Sequence, residues 1–260
     1  MPQSSNTTHT ATRLDRQGAA TLTLTGVKSM NILGTPALTE LTVAVNELAA
    51  RADVRTLVLR GSGEKAFIGG ADIHEMAALM PDTAEQFITR LKAFCEALRQ
   101  FPVPVIARIP GWCLGGGLEV AMACDLRISS NAARFGMPEV AVGIPSVIHA
   151  ALLPRLIGGS RATWLLLTGE QIDAATALAW GLVHNVVAPS DLDAAVNRVA
   201  DRFAELGGSV VRQQKKLLRS WEDMPLDQAI TESVPEFGVA FATGEPQKIM
   251  AEFVNRKRSP

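Results

Sequence analysis

The sequence predicts an α/β protein with much parallel strand pairing, and three observations carry this. Short apolar runs alternate with amphipathic segments at helical spacing through about residue 187. The runs at 55–60 and 104–109 are apolar on both faces, as strands covered on both sides must be. After Val187 the pattern becomes helical, with no convincing strand.

Taken in order, residues 1–12 are polar and read as a short disordered tail. Thr21-Leu22-Thr23-Leu24-Thr25 alternates with period two, the signature of a half-buried strand. Thr35-Pro36 offers an N-cap with proline at the first helical position. Leu38, Leu41, Val45 and Leu48 then continue an amphipathic helix to about Ala52. The run 55–60 is a buried strand closed by Gly61-Ser62-Gly63. Phe87, Leu91, Phe94 and Leu98 mark a second long helix, followed by a strand at 104–109, a short helix from Gly116 to Cys124 and a strand at 125–129. Pro189-Ser190 begins a helix to about Leu206, and Gly207-Gly208 breaks it. The division that follows is a core over 13–188 and a helical C-terminal region over 189–260.

With 260 residues, 47% hydrophobic, the chain can bury one sizeable core. A formal net charge of -1 supplies no basic field for nucleic acid or an anionic membrane. Cys95, Cys113 and Cys124 form neither a CxxC pair nor a metal-ligand spacing, which suits buried thiols in a reducing compartment. No apolar run approaches the ~20 residues of a membrane span, and the N-terminus lacks the apolar core of a secretory signal. A cytoplasmic protein without a metal is the expectation.

Phosphate loops of the GxxxxGK[ST] type, GxSxG elbows and HExxH helices are absent from the sequence, which argues against the chemistries they serve. Two glycine-bearing segments stand out. Lys65-Ala66-Phe67-Ile68-Gly69-Gly70-Ala71-Asp72-Ile73 follows a buried strand, where paired glycines let the backbone approach a ligand. Pro110–Glu119 joins a strand to a helix through Gly115-Gly116-Gly117, a costly way to start a helix unless bare N–H groups matter there. Either segment alone fits a tight turn as well as a binding loop. Glu119 in the first turn of a helix is a favourable charge–dipole placement, and Glu139 in a Gly- and Pro-bearing loop could be a solvated residue.

Five phrases lift these readings: EKAFIGGADIHEM (64–76), PGWCLGGGLEVAMACDLRI (110–128), FGMPEVAVGIP (135–145), LLLTGEQIDAATALAWGLV (165–183) and IMAEFVNRKR (249–258). In this order they resemble successive signatures of the enoyl-CoA hydratase/isomerase (crotonase) family, from about Thr21 to the C-terminus. The resemblance implies a spiral of β-β-α units and a helical C-terminal region that assembles trimers, often paired into hexamers. It implies a backbone oxyanion hole from the N–H groups of Ala71 and Gly116, and catalytic glutamates at Glu119 and Glu139, 20 positions apart. It implies an acyl-CoA thioester substrate, with coenzyme A part of that substrate and no separate cofactor. Contacts to it are expected from Met30, Lys65, Ala66, Ile68, Gly70, Asp72, Ile73, Trp112, Gly115, Pro138 and Val142.

Hydrating a 2-enoyl thioester places negative charge on the thioester oxygen, which two fixed N–H donors stabilise. A base must deprotonate water while a proton reaches the α-carbon, so two carboxyls with one ionised can do both. Close like charges favour that split. Glu119 is expected to orient and activate water, and Glu139 to exchange the α-proton. Isomerisation needs the same hole without activated water, so the second glutamate favours hydration. Decarboxylase, hydrolase or carnitinyl-CoA dehydratase chemistry are the alternatives within the family, and a silent scaffold would have no use for both carboxyls. The chain departs from the family pattern at Lys28-Ser-Met-Asn31 and over 143–154, where His149 is the one titratable side chain. His149 is expected as a polar helix position rather than a substrate contact. Met76, Leu79, Met80, Phe87 and Trp112 are candidate walls of an acyl pocket, and the basic stretch Asn255–Arg258 is a candidate for CoA phosphates.

Overall fold

A computed structural model describes residues 3–6, 8–26 and 29–256 of the chain. Lys28, Lys257 and Arg258 lie outside the described residues.

The large sheet has seven strands: β1 (Gln3–Asn6), β2 (Thr10–Leu14), β3 (Ala19–Leu24), β4 (Thr56–Gly61), β6 (Val105–Ile109), β8 (Leu126–Ser130) and β11 (Asn185–Val187), in the order β1-β2-β3-β4-β6-β8-β11. The first two pairings are antiparallel and the rest, from β3 to β11, parallel. The small sheet runs β10 (Gln171–Asp173), β9 (Arg134–Gly136), β7 (Trp112–Leu114), β5 (Ala66–Ile68). Parallel pairs β5·β7 and β7·β9 make up most of it.

Chain order explains the two sheets. Strand β4 belongs to the large sheet and β5, a few residues on, to the small one; then come α2 (Ile73–Met76) and α3 (Pro81–Arg99). The pattern repeats as β6, β7, α4 (Gly116–Ala123), and again from β8 to β9, after which come α5 (Leu153–Ile157), α6 (Gly159–Thr168) and α7 (Ala174–Ala179). These are the turns of a β-β-α spiral. Strands β5, β7 and β9 are three residues each, too short to show a period, so the sequence presents them as loops.

The first dozen residues are not a disordered tail throughout: β1 pairs with β2 in the register Gln3↔Leu14 to Asn6↔Ala11. Strand β2 in turn pairs with β3. The open edge of β2 supplies the backbone hydrogen bonds for this pairing. Helix α1 spans Thr35–Ala49 and is capped by Gly34 rather than Thr35. Thr35 is already helical, and both its N–H and its hydroxyl are held by the Glu75 carboxylate.

Leu22, Leu24, Leu57 and Leu59 point into the main core with α1 and α3, and all four are almost wholly buried. Val58, Ile106 and Ile128 face the other way, against Leu192, Val196 and Ala200 of α8 (Leu192–Glu205). The first helix of the C-terminal region therefore covers the outer face of the large sheet. Helix α9 (Gly208–Trp221) is tied to the core by Lys215, whose ammonium donates to Asp125 Oδ2 at 2.6 Å and to the Val103 carbonyl at 3.0 Å. Helices α10 (Leu226–Ala242) and α11 (Glu245–Arg256) follow, and α10 leaves Leu226, Ile230, Val234 and Phe237 exposed. Cys95, Cys113 and Cys124 are free and buried.

Candidate active site

The two glycine segments face each other. The 69–71 loop is pinned from behind by the join after β3: Gly69 N–H donates to the Met30 carbonyl (2.7 Å) and Leu33 N–H to the Gly70 carbonyl (2.9 Å). Asn31 locks that join. It is wholly buried, and its amide donates to the Ala66 carbonyl at 2.9 Å and the Ser62 carbonyl at 3.1 Å. Across the gap, Gly115 precedes α4 with φ +53°, a conformation unfavourable for a residue with a Cβ. A Cβ there would also lie 2.8 Å from Glu139 Oε1, and one on Gly117 only 2.1 Å from the Ile68 carbonyl oxygen. The glycines thus let α4 start hard against β5. A Cβ built on Gly116 would lie 3.9 Å from the Ala71 nitrogen, so the two expected N–H donors are neighbours. Among the described residues, neither N–H donates to a backbone carbonyl.

Glu119, in the first turn of α4, is 3% exposed and accepts the Ala150 N–H at Oε1 (2.9 Å). Burial pushes its pKa up to about 8; the Ala150 N–H opposes this, and the Glu139 charge adds to it. Burial, rather than like-charge repulsion, is therefore the chief source of the shift. Glu139 sits on a 3-10 turn, Pro138–Val142, and its Oε2 accepts the Ser146 hydroxyl at 2.9 Å. Its pKa is also raised, again mainly by burial.

Both carboxyls border one cavity of about 180 Å³, together with Gly70, Ala71, Ile73, Gly115, Gly116, Pro138 and Val142. Of the expected wall residues Met76 and Phe87 line it. Leu79, Met80 and Trp112 do not; Trp112 lies in β7 between Ala66 and Arg134, so its ring is no part of this wall. Met30, Lys65, Ala66, Ile68 and Asp72 also lie off the cavity. Ala66 and Ile68 are buried in β5, Lys65 is exposed, Met30 backs onto Gly69, and Asp72 caps α2 through the His74 and Glu75 N–H groups.

Sequence reasoning missed Ile88, Leu91, Ile144, Val147 and Ser146, all of which border the cavity. Three come from the 143–154 stretch, whose departure from the family pattern was the available signal. His149 is not among them. It is buried on the 3-10 turn Ile148–Leu152 and bonds Glu96 of α3 instead. Among the described residues no group of three or more His, Cys, Asp or Glu is placed to hold a metal, and no helix is long and apolar enough to cross a membrane.

Such a site, on paired sheets wound as β-β-α turns, defines a crotonase-type protein. The sequence profile of the enoyl-CoA hydratase/isomerase family matches residues 15–260, and the chain belongs to that family. It is 34% identical over 248 residues to the short-chain-enoyl-CoA hydratase of Clostridium acetobutylicum, covering 94% of this chain and 95% of that one. It is 35% identical over 241 residues to the crotonyl-CoA hydratase of Syntrophomonas wolfei, covering 92% and 93%. The crystal structure of an enoyl-CoA hydratase from Mycobacterium smegmatis superposes with a TM-score of 0.92 at 28% identity, over 95% of this chain and 96% of that chain.

Proposed function

We propose that this protein is a hydro-lyase that reversibly hydrates a 2-trans-enoyl-CoA to a 3-hydroxyacyl-CoA. The observation that carries the reading is the meeting of four groups at one apolar cavity: the Glu119 and Glu139 carboxyls and the neighbouring N–H groups of Ala71 and Gly116. The two N–H groups receive the thioester oxygen as it gains enolate charge; losing one such donor costs about 3–4 kcal/mol of barrier. The carboxyls serve the β-carbon and α-carbon ends of the same double bond. Ala150 N–H can only donate, so it favours the ionised form of Glu119, the form that takes a proton from water. The Ser146 hydroxyl can donate to or accept from Glu139, which suits a carboxyl that gives and regains the α-proton.

The acyl group occupies the cavity between Met76, Phe87, Leu91 and Val147. Coenzyme A comes as part of the substrate, with no separate cofactor. The family resemblance implies contacts to its chain from Met30, Lys65, Ala66, Ile68 and Asp72; of these Lys65 is exposed, whereas the Ala66 and Ile68 side chains are buried in β5 and leave only backbone for such a contact. The exposed stripe on α10 supports assembly into a trimer or a dimer of trimers, and the site of action is the cytoplasm.

The test is a turnover screen over short, branched, aromatic and carnitine-bearing 2-enoyl-CoA thioesters, following loss of enoyl absorbance. Hydration of at least one, with no absorbance gain from 3-enoyl-CoA, is expected. Isomerisation without hydration would overturn the reading, as would full activity in a Glu119→Gln, Glu139→Gln double variant.

A further inference from the structure

His149 occupies the stretch where the chain leaves the family pattern, and it faces away from the cavity. Its side chain is only 7% exposed, and its Nε2 lies 2.9 Å from Glu96 Oε1. A carboxylate accepts, so Nε2 carries the proton. Just before it, Ile148 is held at φ +42°, a left-handed conformation that a β-branched residue rarely adopts. Just after it, Ala150 donates its N–H to Glu119. Val147, on the other side, borders the cavity. Four consecutive residues therefore touch the cavity, bend against their preference, grip α3 and hold the base. A strained segment keeps such a shape only when its surroundings over-determine it.

Glu96 is itself braced although its side chain is 39% exposed. Arg99 Nε lies 3.8 Å from its Oε1, and Arg99 Nη2 binds Glu222 Oε2 at 2.6 Å, just past the end of α9. Glu222 is also bound by Arg219 (2.7 Å), and Arg219 in turn by Asp125 (2.7 Å), which holds Lys215. An ionic chain thus runs from α9 to the carboxylate that anchors His149.

We propose that His149, through its hydrogen bond to Glu96, is a positioning residue that keeps the strained Ile148 turn in place and so aims the Ala150 N–H at Glu119. The charged and titratable groups facing His149 are Lys92, Glu96 and Arg99 of α3; those coupled to Glu119 are Glu139 and the thiol of Cys95. The proposal rests on Glu119 serving as the base. Removing the His149–Glu96 bond releases the turn, weakens the Ala150 hydrogen bond and raises the Glu119 pKa, because that bond favours the ionised form.

The experiment compares His149→Ala, Glu96→Ala and Glu96→Gln with the unsubstituted enzyme. Both alanine variants are expected to lose about 10- to 100-fold in kcat with KM within about twofold. The acid limb of their kcat/KM profile moves to higher pH. Glu96→Gln keeps an acceptor for His149 and retains most of the activity. A readout without turnover is the titration of the Glu119 carboxyl carbon in ¹³C-glutamate-labelled protein, identified by difference against Glu119→Gln; it moves to higher pH in both alanine variants. An unmoved carboxyl titration in Glu96→Ala, a substitution at a partly exposed helix position, overturns the proposal even if His149→Ala fails to fold. If instead enoyl-CoA turnover is absent from the unsubstituted enzyme, the hydratase reading falls while the carboxyl titration still decides the positioning claim.

Discussion

At the scale of single residues, Glu119 combines two opposed demands. Its proposed role needs it buried against an apolar acyl group, and burial holds its pKa near 8. As the proposed base it works deprotonated, so kcat/KM for hydration is expected to rise with pH through an apparent pKa near 8; a profile flat from pH 6 to 9 would contradict this role. The same shift acts on stability. Above the unfolded carboxyl pKa of about 4.3 the unfolded chain loses this proton while the folded chain keeps it until about pH 8. Folding therefore weakens as pH rises across that window, by an amount bounded at about 4 to 5 kcal/mol. Glu119→Gln is expected to raise Tm relative to the unsubstituted protein by more at pH 8 than at pH 5. Equal Tm differences at the two pH values would show that Glu119 is not destabilising when charged. Neither glutamate announces this in the sequence. Each has an ordinary reading as a helix first-turn acid or a loop acid, and only its burial beside the other distinguishes it.

Among elements, the join of β7 to α4 sets the geometry of the site. Three glycines at a helix start were legible as unusual, and the structure supplies the reason: backbone approaches where a Cβ would enter the Ile68 carbonyl or the Glu139 carboxylate. Gly115→Ala is expected to fold, at a cost of about 1–3 kcal/mol for a sparsely populated positive-φ backbone. It should lose about 100-fold or more in kcat, since its methyl displaces the Glu139 carboxyl, proposed to exchange the α-proton, by about an ångström. Circular dichroism and steady-state kinetics together check this; unchanged kcat would mean that Glu139 is not held where the mechanism needs it. The short strands β5, β7 and β9 were not legible. Three residues carry no periodicity, and their strand character comes from mutual pairing between segments some 20 or more positions apart in sequence. Similarly, Thr35 looked like a cap, yet its hydroxyl is held by Glu75 from a distant helix.

For the molecule as a whole, α8 packs into the core, α9 is tied to it through Lys215, and α10 presents its apolar stripe outward. Lys215 is buried and paired with Asp125. Lys215→Ala leaves Asp125 paired with Arg219 alone and removes the buried hydrogen bond to Asp125, at an expected cost of about 1–3 kcal/mol in denaturant unfolding; a loss below about 0.5 kcal/mol would mean that α9 is held by other contacts. On α10, Leu226, Ile230, Val234 and Phe237 are between 59% and 75% exposed, a stripe that in water favours association. The unsubstituted protein is expected to sediment as the proposed trimer or hexamer, and a Val234→Glu, Phe237→Glu variant as a monomer at the same concentration. An unchanged sedimentation coefficient would remove this face from the proposed interface.

What the sequence alone determined is whatever local pattern encodes: the strands long enough to alternate or to be wholly apolar, the helices with a 3.6-residue stripe, and the glycine turns with the acids that follow them. Those acids gained meaning from phrases spread along the chain and resembling one family. Tertiary structure alone decided which loops are strands, which apolar residues are wall and which are core, and what His149 touches. Such properties depend on partners distant in sequence. Burial, which sets the proton affinity of Glu119, exists only once those partners have closed around it.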